Sequence, residues 1–149
     1  MDAVTYPQEK VARFIDDHFV PVKIPRDESL EQTYRVAWTP TVVILDAHSR
    51  ERYREVGYLP PEDFLAHMNV ALGRMAFEEK DFSSAARFFR TVVDQFATSE
   101  IVPEALYFLG LAKSKMSGGT INDRRAIWKR LMEDHVKSDW AKKVSVYFE

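Results

Sequence analysis

Apolar and polar positions follow two different periods along this chain, and the change of period divides it. From Gln8 to His18, Val11, Phe14, Ile15 and His18 recur at helical spacing, which predicts a first helix. Phe19-Val20-Pro21-Val22-Lys23-Ile24 then reads as a strand. Pro21 and Pro25 put one side of it at an edge, because proline brings no N–H to a ladder. Arg26 to Ser29 predicts a turn with Ser29 as an N-cap, and Leu30 to Arg35 a short helix. The β-branched run Thr41–Leu45, sealed at its start by Pro40, predicts a strand. A polar turn from Asp46 to Arg50 and a second extended segment ending at Gly57 complete a strand–turn–strand unit.

Beyond Gly57 the β-branched runs stop and helix formers take over. Leu59-Pro60-Pro61-Glu62-Asp63 is a helix start, since proline is tolerated in a first turn and acids there complement the helix dipole. Phe64, Leu65, Met68, Leu72, Met75 and Ala76 form its apolar stripe. Helices are predicted over 62–79, 83–96, 103–117, 122–135 and 139–148. The pattern repeats. Leu72-Gly73, Ala85 and Phe89 keep the order leucine-glycine, small, aromatic, and a second Leu-Gly follows at Leu109-Gly110. Phe89 aligns with Trp128 at an offset of 39, and Ser99-Glu100 with Ser138-Asp139 at the same offset. The Leu-Gly offset is 37, which places the extra residues in the loop Ser117-Gly118-Gly119-Thr120. No Gly/Ser/Pro-rich linker separates the sheet part from the helices, so a rigid junction is expected.

Composition narrows the function classes. A chain of 149 residues makes one domain, or two small units sharing a core. With 46% hydrophobic residues and ten Phe, six Tyr and three Trp, it has material for a real core. Lys and Arg number 21 against 23 Asp and Glu, a formal charge of -2, which gives no electrostatic reason to expect nucleic acid or an anionic membrane as partner. No run approaches the ~18 to 20 apolar residues of a membrane span. Met1-Asp2-Ala3-Val4-Thr5-Tyr6-Pro7 lacks the charge and apolar core of a signal peptide, so a cytoplasmic location is the expectation. None of the residues is cysteine.

Residues 1–72 resemble the later part of a thioredoxin-like domain. The matching pieces, in order, are Met1 to Tyr6, Val11-Ala12, His18 to Ile24, the loop Trp38-Thr39-Pro40-Thr41 and Val56-Gly57-Tyr58. The resemblance implies that Thr39-Pro40 is the family's cis-proline loop, which binds extended peptide by backbone pairing. It also implies a departure. In the family a strand carrying Cys-x-x-Cys lies upstream of the residue matched by Met1 and occupies the middle of the sheet, flanked by the strands at 19–24 and 41–45. The gap would be closed by direct pairing, filled by another chain, or left open. From Leu72 onward the steps of 12 and 4 residues resemble tetratricopeptide helix pairs, repeats of ~34 residues in which small residues let helix A touch helix B. The fold expected is α+β: an incomplete thioredoxin-like βαββα unit over 1–72, then a tetratricopeptide-like α-helical hairpin array over 62–149, sharing the helix 62–79.

Candidate chemistry is sparse. Disulfide exchange needs a thiolate, and no other side chain replaces it. His18, His48, His67 and His135 sit on separate elements without metal-ligand spacing, so no metal site and no cofactor are expected. Asp16-Asp17 and Glu78-Glu79 point to different faces of their helices and read as solvated surface. Gly118-Gly119 has no Lys-Ser/Thr behind it to make a phosphate loop. Arg124, Arg125, Lys129 and Arg130 form a basic stripe that reads as a solvated face or as a dock for an acidic segment.

No catalytic residue is expected. Peptide contact is expected at Trp38, Thr39 and Pro40, and at Tyr107, where an aromatic side chain would line the groove of the helical repeats. The reading is a non-catalytic protein or peptide-interaction protein. Its alternative is a fragment of a thiol-disulfide oxidoreductase, serving cell redox homeostasis, with its Cys-x-x-Cys upstream of Met1. A third reading pairs two copies into a homodimer through the incomplete sheet.

Overall fold

The computed structural model describes residues 1–24 and 28–148. The chain divides into two compact units, Met1–Leu65 and Ala66–Glu149.

In the first unit the N–H groups of Val4, Thr5 and Tyr6 converge on the Met1 carbonyl. Thr5 is fully buried, and its Oγ1 donates to the Leu59 carbonyl at 2.7 Å, so its polar atom is satisfied. Tyr6 meets Phe64 edge-on at 5.7 Å. Helix α1, Glu9–His18, buries Val11 and ends where Phe19 turns extended while still donating its N–H to the Ile15 carbonyl.

Phe19–Ile24, expected as a strand, forms no ladder: it is irregular chain, with Val20 91% and Val22 78% exposed. The reason is physical. A strand is stable through pairing and through burial of one face, and neither is available here. Pro25, Arg26 and Asp27 lie outside the described residues, and with them the start of the expected turn. Helix α2 is Glu28–Thr33, two residues earlier than predicted, so Ser29 sits inside it rather than capping it. It closes with Arg35 at φ +51 and the Val36 N–H on the Glu31 carbonyl at 2.7 Å.

Strands β1, Thr41–Leu45, and β2, Glu51–Val56, pair antiparallel with Thr41 opposite Val56 and Ile44 opposite Tyr53; a bulge shifts Leu45 onto Glu51. Asp46 organises the hairpin loop. Its Oδ1 accepts the N–H groups of His48 at 2.8 Å and Arg50 at 3.0 Å, and its Oδ2 accepts Arg50 Nε at 2.8 Å. The α+β class stands, with the sheet reduced to two strands among the described residues.

Helix α3, Pro61–Glu78, starts on proline followed by Glu62 and Asp63, and the boundary between the units falls within it. The second unit continues with α4, Phe82–Gln95; α5, Val102–Lys115; α6, Ile121–Asp134; and α7, Asp139–Ser145. Short polar caps fix their starts. Asp81 accepts the Ser84 N–H at 3.0 Å, Thr120 and Asp123 form a reciprocal capping box, and Ser138 Oγ accepts the Ala141 N–H at 3.1 Å. Helices α4 and α6 both pack on α5, and α7 packs on α5 and α6. The core includes Phe89, Val92, Leu106, Trp128, Leu131 and Val144.

Candidate functional site

The peptide bond between Thr39 and Pro40 is cis. The Pro40 carbonyl accepts the Gly57 N–H at 2.8 Å, which extends the ladder one step beyond the Thr41–Val56 pair. Residues just before Pro40 and just after Gly57 therefore leave the hairpin at the same end. Trp38 is 69% exposed there, with Val56 and Tyr58 also exposed. Thr41 Oγ1 donates to the Trp38 carbonyl at 2.6 Å and fixes the backbone next to the ring. Gly57 holds φ +110, a conformation that glycine alone adopts without a steric penalty. Among the described residues β1 pairs with β2 only. Its other edge has no ladder partner among the described residues.

Tyr107, the fourth residue expected at a peptide surface, belongs to the second unit. It is half-buried in an aromatic stack, 5.5 Å from Trp128 with the rings nearly parallel and 4.9 Å from Trp140. Its carbonyl accepts Trp128 Nε1 at 3.0 Å. The site residues expected from sequence thus fall in two units, with Trp38, Thr39 and Pro40 in one and Tyr107 in the other. Val56 and Tyr58 join Trp38 in the structure. The available signal was Val56-Gly57-Tyr58 closing the same hairpin that Trp38-Thr39-Pro40 opens.

A charged cluster in the second unit went unread in the sequence. Glu104 Oε1 meets Arg74 Nη1 at 3.3 Å, with the glutamate side chain only 15% exposed. Burial pushes its carboxyl above the ordinary range, against the opposing pull of Arg74, His67 and Lys143. The basic stripe is largely engaged locally. Arg124 lies over the rings of Trp128 and Tyr147 at 4.7 and 5.3 Å. Lys129 pairs with Glu133 and Arg130 with Asp134, one turn on. No group of three or more metal-ligating side chains occurs among the described residues. No helix among them is long and apolar enough to cross a membrane.

No curated protein and no solved structure matches the chain. Residues 1–72 match the family model of the thioredoxin-like domain.

Proposed function

We propose that this chain is a non-catalytic protein or peptide-interaction protein: a thioredoxin-like scaffold followed by tetratricopeptide-like helical hairpins, working in the cytoplasm. The observation that carries the reading is the hairpin end, where exposed Trp38 stands beside Pro40 and next to a strand edge that has no second neighbour among the described residues. An extended partner would pair with that edge through its backbone and rest a side chain on the indole. No cysteine is present to turn such contact into disulfide exchange. The repeated close approach of a glycine on one helix to an aromatic ring on the next supports the tetratricopeptide-like description.

The test uses reduced, carboxymethylated lactalbumin, an unfolded chain without free thiols, as the binding probe. Saturable binding that is lost in Trp38→Ala, with an unchanged urea midpoint, is the expected result. Equal binding by the variant would sink the reading. A second reading makes these residues part of a longer thiol-disulfide oxidoreductase. It is favoured by Phe19–Ile24, which the family resemblance assigns to a strand and which lacks a ladder here. Reading the codons upstream of Met1 separates the two: an in-frame Cys-x-x-Cys favours the enzyme, and a stop codon removes it.

A further inference from the structure

Helices α4 and α6 each pack on α5 and not on each other, so α5 forms the floor of a groove between them. A cleft of about 460 Å³ lined by all three helices occupies this groove, and a second of about 340 Å³, lined by α4 and the end of α5, adjoins it through Arg90 and Asp94. The floor is apolar, with Val93, Leu106 and Leu109 buried beneath it and Ile127 half-buried on the α6 wall. The rim is cationic: Arg87 and Arg90 come from α4, Lys113 from α5 and Arg130 from α6, and Asp94 is the one lining carboxylate. Arg90 and Lys113 make no ion pair among the described residues, and Arg130 reaches only Asp134 on its own helix. This local excess of positive charge lies on a chain whose formal charge is -2, so it is not a property of the surface at large.

We infer that the groove docks an acidic amphipathic segment of a partner protein. Apolar side chains of that segment rest on Ala126 and Ile127, and its carboxylates meet Arg90 on one wall and Arg130 on the other. Sign complementarity selects the acidic partner. Exposed Ala126 and half-buried Ile127, set between the cations, select a segment with alternating character over a bare polyanion, since covering them desolvates and strengthens the rim contacts. A nucleic acid fits less well. Its phosphates would lie against Asp94, and no aromatic platform lines the clefts for its bases. The surface belongs to the second unit and does not involve Trp38, so this inference and the hairpin-end reading stand or fall separately.

The test selects a random dodecapeptide library, displayed on phage, against the full chain. Enriched peptides should carry Asp or Glu flanking Leu, Ile or Phe. A labelled selected peptide should bind about tenfold or more weakly to Arg90→Glu/Arg130→Glu and to Ile127→Asp, and unchanged to Arg13→Glu on α1. On the unmodified chain, raising NaCl from about 50 to about 500 mM should weaken the same peptide, which keeps the test independent of how any variant folds. Failure to enrich any peptide, enrichment without acids, or equal binding to the double variant would overturn the inference. So would tighter binding of a single-stranded oligonucleotide or of phosphatidylserine vesicles than of the peptide.

Discussion

Gly110 has no room for a side chain because Trp128 occupies it: a Cβ added there would lie 2.6 Å from the indole Nε1. Gly73 stands in the same relation to Phe89, with its added Cβ 2.7 Å from the ring Cε1. Both rings are sealed in the core, Phe89 at 0% and Trp128 at 1% exposure, and Trp128 is also tied by its hydrogen bond to the Tyr107 carbonyl. Neither can step aside cheaply. Overpacking costs about 1–3 kcal/mol, against roughly 1 kcal/mol gained from the better helix propensity of alanine. Gly73→Ala and Gly110→Ala should therefore each lower the urea midpoint at unchanged slope. A raised midpoint in either would mean that the helices approach less closely than this.

The start of α6 depends on its capping box. Thr120 Oγ1 accepts the Asp123 N–H at 3.2 Å, and Asp123 Oδ2 accepts the Thr120 N–H at 2.7 Å. Thr120→Ala removes one half of the box and should cost about 1 kcal/mol, read as a loss of stability in urea unfolding. Thr120→Ser, which keeps the hydroxyl, should recover most of it.

Asp46 gives the hairpin an acid-sensitive joint. Burial alone would raise its carboxyl, but the N–H groups of Arg50 and His48 and the Arg50 guanidinium outweigh that and hold it at about 2, below the ordinary 3.8. The folded-state value is depressed, so the contribution to stability is complete above 3.8 and is lost as pH falls through about 2. Asp46→Asn should be less stable than the native chain at neutral pH, and the two urea midpoints should converge across that window. Parallel curves down to pH 2 would contradict the assignment.

Glu104 runs the other way. Its folded-state carboxyl titrates above its ordinary 4.5 because burial disfavours the charge more than Arg74, His67 and Lys143 favour it. The native state binds the proton more tightly than the unfolded chain, so stability falls as pH rises from 4.5 through the raised value. Glu104→Gln should be neutral to about 1 kcal/mol more stable at pH 7, and should lack that decline. The Arg74 it leaves behind is 41% exposed and stays solvated. A variant clearly less stable at pH 7 would show that the ion pair outweighs its burial.

Much of the helical unit was readable from local chemistry. Prolines and acids at Pro61-Glu62-Asp63 and the polar caps at Asp81, Thr120 and Ser138 act within one turn, so the helix starts predicted from sequence lie within a residue of those observed. The glycine-to-ring spacing was equally legible, because a 12-plus-4 step encodes one helix crossing the next. Phe19–Ile24 was misread for the opposite reason. Its alternation has the strand period, but a strand exists only with a partner, and none is present among the described residues. Ser29 is a good cap by type, yet α2 begins ahead of it.

The order of amino acids alone settled where the helices after Gly57 and the β1–β2 hairpin form, and which positions had to be small. Tertiary structure decided what lies open. Trp38, in the bend before Pro40, is exposed, while Tyr107, on α5, is wedged among Trp128 and Trp140. It also decided that α4 and α6 stand apart over α5 with their arginines facing one groove. Exposure and juxtaposition depend on which distant segments pack together, and the periodicity of a single segment does not carry that information.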